Sequence, residues 1–296
     1  MQAQTQAQPG TPSGKVAACE TTAHIERMGT CHTVKHMGRD VVWRRFGNGP
    51  ALVLVHGGHG DWRHWIRNIE TLAALHTLWV PDLPGFGQSD DLEGAADAAD
   101  RMDRLVAALH ATLDLLVGAH TPVALVGFSF GALVSSRLAA RRPVSKLALL
   151  GAVGHGGTRR NTDSLLDWRK AAPNLLRDAL RQNLGALMLH DPAAVDELAI
   201  SVYAAQCVAT RFRAKAIARA GGLQLALQRY AGPVMLVWGE HDVTATPTEI
   251  APQLAANHSA CSWHVIAGAG HWVQYERHNE VSALLVSWCT AEQTPS

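Results

Sequence analysis

Five short apolar runs constrain this chain more than any other feature: ALVLV (51–55), TLWV (77–80), VALVG (123–127), LALLG (147–151) and VMLVW (234–238). WHVIA (263–267) is a weaker sixth. The runs are continuous rather than alternating. Strands buried on both faces of a parallel sheet read this way, because each side chain meets a covering helix whichever way it points. Helical patterns separate the runs. RMDRLVAALHATLDLLVGA (101–119) ends at a glycine, ALVSSRLAARR (132–142) stops before Pro143, and VSALLVSW (281–288) follows the last run. Strand and helix in alternation predict an α/β fold, a mostly parallel central sheet flanked by helices. Segments at about 30–36 and 41–47 predict an antiparallel pair on the sheet edge.

The alternation breaks once. From His155 to Tyr230 no strand pattern occurs, NLLRDALRQNLGALML (174–189) is amphipathic, and Asp191-Pro192 reads as a helix start. Residues 155–230 are therefore expected to be a helical cap inserted between strands. Residues 26–154 and 231–296 form the core. Gln, Ala, Pro, Gly and Ser dominate the start of the chain, which predicts a disordered tail over residues 1–25 with no signal-peptide core.

Composition excludes whole classes. A net charge of +1 over 296 residues gives no footprint for nucleic acid or an anionic membrane. No apolar run reaches the length of a membrane span. The five cysteines are scattered and odd in number, which argues against a disulfide framework and for a reducing, cytoplasmic location. Oligomeric state is not readable, and a homo-oligomer stays open.

The chemistry begins at GFSFG (127–131), between a predicted strand and a predicted helix. A sharp strand-to-helix turn crowds the positions two before and two after its serine. Gly127 and Gly131 relieve that crowding and lift Ser129 above the sheet. A serine hydroxyl needs a base, and the base needs an orienting group. His271 follows the strand in WHVIAGAGHW, and Asp242 follows VMLVW in WGEHD. The loop after LALLG carries no acid. The order Ser129, Asp242, His271 is that of α/β-hydrolases.

HGGHG (56–60), PDLPGFGQSD (81–90), GFSFG, GEHD (239–242) and GAGHW (268–272) together make the region from 51 to about 290 resemble the α/β-hydrolase superfamily. The resemblance implies an oxyanion hole of backbone N–H groups from Gly58 and Phe130, with His59 as a helper. It also implies that the glycines of HGGHGDWRHW, rather than its three histidines, carry function. No HExxH pattern accompanies those histidines, so no metal is expected. No cofactor is expected either, because a triad and an oxyanion hole suffice for acyl transfer.

GHWVQYE (270–276), HGG and IRN (66–68) resemble meta-cleavage-product hydrolases, which break a C–C bond in vinylogous diketones. That resemblance implies Trp272 as a pocket residue. The chain departs from the pattern around the nucleophile: Phe128 stands where those enzymes have Asn, and Phe130-Gly131-Ala132 where they have Met-Gly-Gly. Phe128 is accordingly a candidate substrate contact. Ester and C–C cleavage of a small, largely apolar carbonyl substrate both stay open. A non-catalytic binding protein on the same fold is the alternative, which a complete triad argues against. Residues 155–230 hold nine arginines and two lysines against six acids. Arg211 and Arg213, flanking Phe212, are the candidates for gripping a substrate carboxylate.

Overall fold

The computed structural model describes residues 14–95, 99–159 and 165–291. Its strands are β1 (Thr30–His36), β2 (Arg39–Phe46), β3 (Ala51–Val55), β4 (Thr77–Pro81), β5 (Val123–Phe128), β6 (Val144–Leu150), β7 (Val234–Gly239) and β8 (Cys261–Ile266). They form one sheet in the order β1-β2-β4-β3-β5-β6-β7-β8. Strands β3 to β8 run parallel, and β1 and β2 add an antiparallel edge. All six apolar runs are thus strands, and each of the central ones is buried along nearly its whole length.

The helices are α1 (Gly14–Met28), α2 (Ile69–Ala73), α3 (Arg101–Val117), α4 (Phe130–Ala139), α5 (Leu176–Leu187), α6 (Glu197–Ala209), α7 (Ala214–Arg219), α8 (Leu223–Leu227), α9 (Pro247–Ala255), α10 (Val273–Glu276) and α11 (His278–Thr290). Two apolar clusters cover the two faces of the sheet. One joins Val53, Leu125 and Leu149 to Leu105, Leu109 and Leu133. The other joins Leu54, Val126 and Val237 to Leu72, Val281 and Leu285. Alternate residues of one strand feed opposite clusters, which is why the runs are continuous in sequence.

Between β6 and β7 the described residues hold helices α5 to α8 and no strand. Asp191 accepts a hydrogen bond from Ala193 N–H at 2.9 Å, with Pro192 in the first turn. All five cysteines are free thiols. Among the described residues no helix is long and apolar enough to cross a membrane.

One expectation fails at the start of the chain. Residues 14–25 lie in α1 rather than in a disordered tail; residues 1–13 fall outside the described part. Ala18 and Ile25, seven positions apart and so on one helix face, are buried at 4% and 2% exposure. Composition understates such a segment, because two well-placed apolar contacts and good helix formers between them outweigh a polar average.

Parallel register brings the strand ends together. Val55 pairs with Gly127, Phe128 with Leu150, and Leu150 with Val237. The loops leaving β3, β5, β6, β7 and β8 therefore open on one edge of the sheet, where α/β folds collect their ligands.

Candidate active site

Ser129 sits on the turn between β5 and α4 with φ +54°, in the left-handed region that a non-glycine residue rarely adopts. Its N–H donates to Leu150 C=O at 2.8 Å, which holds the strained turn down onto the sheet. A Cβ on Gly127 would stand 2.4 Å from Gly131 O, and one on Gly131 would stand 2.3 Å from His56 O. Both glycines are required by close approach of backbone.

His271 lies in the loop after β8, and its Nε2 is 2.9 Å from Ser129 Oγ. Its Nδ1 is 2.8 Å from Asp242 Oδ2. Asp242, in the loop after β7, is fully buried. Burial alone would push its carboxyl up. The charge and hydrogen bond of His271, with the N–H and hydroxyl of Thr244 at 2.7 and 2.8 Å, outweigh that and hold it below the usual carboxylate range. The three residues come from three separate loops, and the structure brings all of them together. Thr244 went unnoticed in the sequence, although an acceptor carboxylate two residues before a threonine is the signature of an Asx turn.

The oxyanion candidates also meet. Phe130 N–H stands at the N-terminus of α4, where the first amides have no intrahelical partner. A Cβ on Gly58 would lie 3.8 Å from Phe130 Cβ. His56 sets the direction of the Gly58 amide. Its Nε2 accepts from Leu83 N–H at 2.9 Å, so Nδ1 carries the proton and donates to Gly57 C=O at 2.8 Å. A trans peptide points its N–H opposite to its C=O, so holding Gly57 O on one side turns Gly58 N–H to the other. His64 Nδ1 accepts from Gly57 N–H at 3.2 Å. His59 has φ +52° and lines the cavity. The histidines of the HGGHGDWRHW stretch thus divide their work: two brace the loop and one faces the cavity.

That cavity holds about 290 Å³ and contains Ser129, His271, Gly58 and Phe130 on its wall. Leu187, Met188 and Ala214 supply much of the apolar lining from the segment between β6 and β7. Phe128 is among the lining residues, its ring centroid 5.0 Å from that of His271.

Three substrate-contact expectations are corrected. Trp272 is fully buried outside the cavity lining, where its indole N–H donates to His64 C=O at 2.9 Å and its ring stacks on Tyr275. Arg211 points to the loop after β4, donating to Ser89 C=O, with a second bond to Ala209 C=O at 2.9 Å. Arg213 is exposed at the start of α7 and is not in the lining. The cavity cations are instead Arg159, Lys215 and Arg219. Among the described residues none of the three has a carboxylate ion-pair partner. Burial, then the charge of Arg219, pushes the Arg159 guanidinium below its usual value, against a smaller pull from Asp242. Helical phase decided this outcome: Lys215 and Arg219 are four apart on one face of α7, while Arg211 and Arg213 precede the helix.

A strained serine on a strand-to-helix turn, hydrogen-bonded to a histidine that is oriented by a buried acid, defines the class: an α/β fold carrying a candidate nucleophile-and-base site. Residues 52–284 match the model of the alpha/beta hydrolase family, and the chain belongs to that family. Among its relatives is a 2-hydroxy-6-oxononadienedioate/2-hydroxy-6-oxononatrienedioate hydrolase of Burkholderia vietnamiensis, 26% identical over 80% of this chain and 86% of that one. The dihydrolipoyllysine-residue acetyltransferase component of an acetoin cleaving system from Pseudomonas putida is 31% identical over 85% of this chain and 67% of that one. A meta-cleavage product hydrolase structure from Pseudomonas fluorescens superposes with TM-score 0.71 at 19% identity, over 87% of this chain and 97% of that one. At that identity the superposition speaks for the fold.

Proposed function

We propose that the chain is a serine hydrolase acting on a small carbonyl substrate that carries an acidic group. Ser129 Oγ attacks the carbonyl carbon while His271 Nε2 takes its proton. Asp242 holds the imidazole with Nδ1–H toward itself and stabilises the imidazolium. Gly58 and Phe130 N–H groups receive the developing oxyanion; each such donor contributes about 2.7–4 kcal/mol in comparable sites. His271 then protonates the departing group, leaving an acyl-serine. Water, deprotonated by the same histidine, releases the acid and restores Ser129. The segment between β6 and β7, with helices α5 to α8, serves as the cap that walls the substrate in, with Arg159, Lys215 and Arg219 as the acid-binding side.

The observation that carries this reading is the unbroken chain from Ser129 Oγ through His271 to Asp242, at 2.9 and 2.8 Å, on the wall of an apolar cavity. In the first reading the bond broken is the C–O bond of an ester. C–C cleavage of a dienoate diketone is a second reading, favoured by the Burkholderia relative. A fluorophosphonate probe tests the common part: it should label Ser129 in the native chain and not in Ser129→Ala. A panel of acidic esters and meta-cleavage products then separates the two reactions. No labelling at Ser129 would overturn the proposal and favour a binding protein on this fold.

A further inference from the structure

Glu276 lies in α10, five residues after His271, and is 7% exposed. Among the described residues no cation lies within ion-pair distance of its carboxylate. Backbone amides take that place. Oε1 and Oε2 accept from His190 N–H at 3.0 and 3.1 Å, and Oε1 from Asp191 N–H at 2.5 Å. Oε2 also accepts from Gly270 N–H at 2.7 Å. Hydrogen bonds to an ionised acceptor are about twice as strong as neutral ones, so this is a firm grip.

The partners of that grip decide its meaning. Gly270 adjoins His271 in the loop after β8. His190 and Asp191 follow Leu187 and Met188, which line the same cavity as Ser129 and His271. A second tie runs beside the first: Trp272 N–H donates to Met188 C=O at 2.7 Å. His271 is therefore bracketed, through Gly270 and Trp272, by two attachments to the same cap segment. The contact is tight enough that a Cβ on Gly270 would stand 2.8 Å from His190 N and 3.0 Å from Met188 O.

We infer that Glu276 is a positioning residue that sets the general base and the acyl-facing cavity wall together, through one carboxylate holding Gly270 on one side and His190 and Asp191 on the other. The inference rests on the proposed role of His271. Glu276 touches no substrate and transfers no proton. Its charge fixes where the loop carrying His271 and the Leu187–Met188 wall sit relative to each other. The consequence is a coupling: disturbing the clamp changes turnover and chain-length selectivity at once.

The test compares Glu276→Gln with the native chain and with Glu280→Gln, an exposed α11 position. Short and longer p-nitrophenyl acyl esters report kcat and KM separately. Glu276→Gln keeps the shape and removes the charge. We expect kcat to fall roughly 10- to 100-fold for every ester, as sub-ångström misplacement of a catalytic group does. KM should shift for the longer esters alone, because only they reach Leu187 and Met188. Glu280→Gln should match the native chain. A folded Glu276→Gln with native kcat and native selectivity overturns the inference, and so does a loss of kcat with selectivity unchanged, which general loosening would give. If Glu276→Gln does not fold, Gly270→Ala wedges the same contact from the core side and should give the same paired change. If neither variant folds, the carboxylate holds the fold and not the site, and the inference falls. If the native chain hydrolyses no ester and is not labelled at Ser129, the hydrolase reading has failed instead. The clamp is then read by amide exchange, which should quicken at 190, 191 and 270 in Glu276→Gln and nowhere else in the core; unchanged exchange there overturns it.

Discussion

Trp272 donates its indole N–H to the backbone carbonyl of His64 at 2.9 Å, and that bond ties the neighbour of His271 to the loop bearing Gly58. His64 in turn accepts from Gly57 N–H and lays its ring against Phe128 and Trp272. The two halves of the candidate site, the loop bearing Gly58 and the loop bearing His271, are thereby braced through buried contacts behind the cavity.

Trp272→Phe should keep the ring and lose the bond. Leaving His64 C=O without that partner should cost about 1–3 kcal/mol of stability. Since Trp272 does not line the cavity, KM should stay near native while kcat falls. Thermal melting and ester kinetics check both. A large rise in KM with native kcat would return Trp272 to the substrate-binding surface.

Ser129→Ala and His271→Ala should each remove nearly all turnover and leave the fold intact. Residues that act as one device are not additive, so the double variant should be little worse than either single one. Losses that multiply would separate Ser129 from His271 mechanistically, in spite of their 2.9 Å contact.

Asp242→Asn should lower kcat by roughly 10⁴-fold with substrate binding preserved, because the amide favours the wrong histidine tautomer. Thr244 strengthens this expectation: its N–H and hydroxyl already donate to Asp242 Oδ1, so an amide oxygen would stay there and turn its NH2 group toward His271 Nδ1. Single-turnover kinetics with inhibitor binding measured separately check it. Native activity would point to another acid, with Glu240 nearest in sequence.

The sheet was legible because burial on both faces writes itself as continuous apolar runs, and the strained turn at Ser129, the candidate nucleophile, because Gly127 and Gly131 must be glycine. Asp242 and His271 were legible because parallel strand ends share one edge. Helix α1 was not, since Ala18 and Ile25 are only two apolar anchors in a polar segment. Nor was the cavity wall between β6 and β7. There short helices set which side chains line the cavity: Lys215 and Arg219 share one face of α7, whereas Arg211 and Arg213 come before the helix begins. Trp272 misled for a related reason: adjacency to His271 in sequence reverses direction at the start of α10, which turns the indole away from the cavity.

Stability should fall as pH drops below about 6.5, the ordinary histidine value. His56 and His64 are buried and neutral. Burial pushes both below that value, His64 far below it, with the nearby His56 adding to the effect on His64. Their folded values are depressed, so the unfolded chain binds more protons in the window beneath 6.5. Their contribution is complete above that pH and is lost as pH falls toward the folded values. His64→Asn keeps an acceptor near the Nδ1 position and cannot be protonated. It should flatten the slope of Tm against pH in the acid range. An unchanged slope would mean that His64 is not one of the groups responsible.

The cavity cations make the last prediction. Arg159, Lys215 and Arg219 line the same cavity, and the burial of Arg159 beside Arg219 is a repulsive arrangement that an incoming carboxylate relieves. Arg159→Met and Arg219→Met should therefore raise KM for acidic esters by roughly 10-fold or more, the effect of removing a charge-assisted hydrogen bond of about 1.5–3 kcal/mol. Neutral p-nitrophenyl esters should be nearly unaffected, since the methionine stem preserves the packing of the lost side chain. Arg211→Met and Arg213→Met should change neither substrate type, because Arg211 is engaged with Ser89 and Arg213 faces solvent. Steady-state kinetics on matched acidic and neutral esters checks all four variants. Equal changes on both substrate types would show that the cations serve the cap's own stability, and the substrate would then need no acid at all.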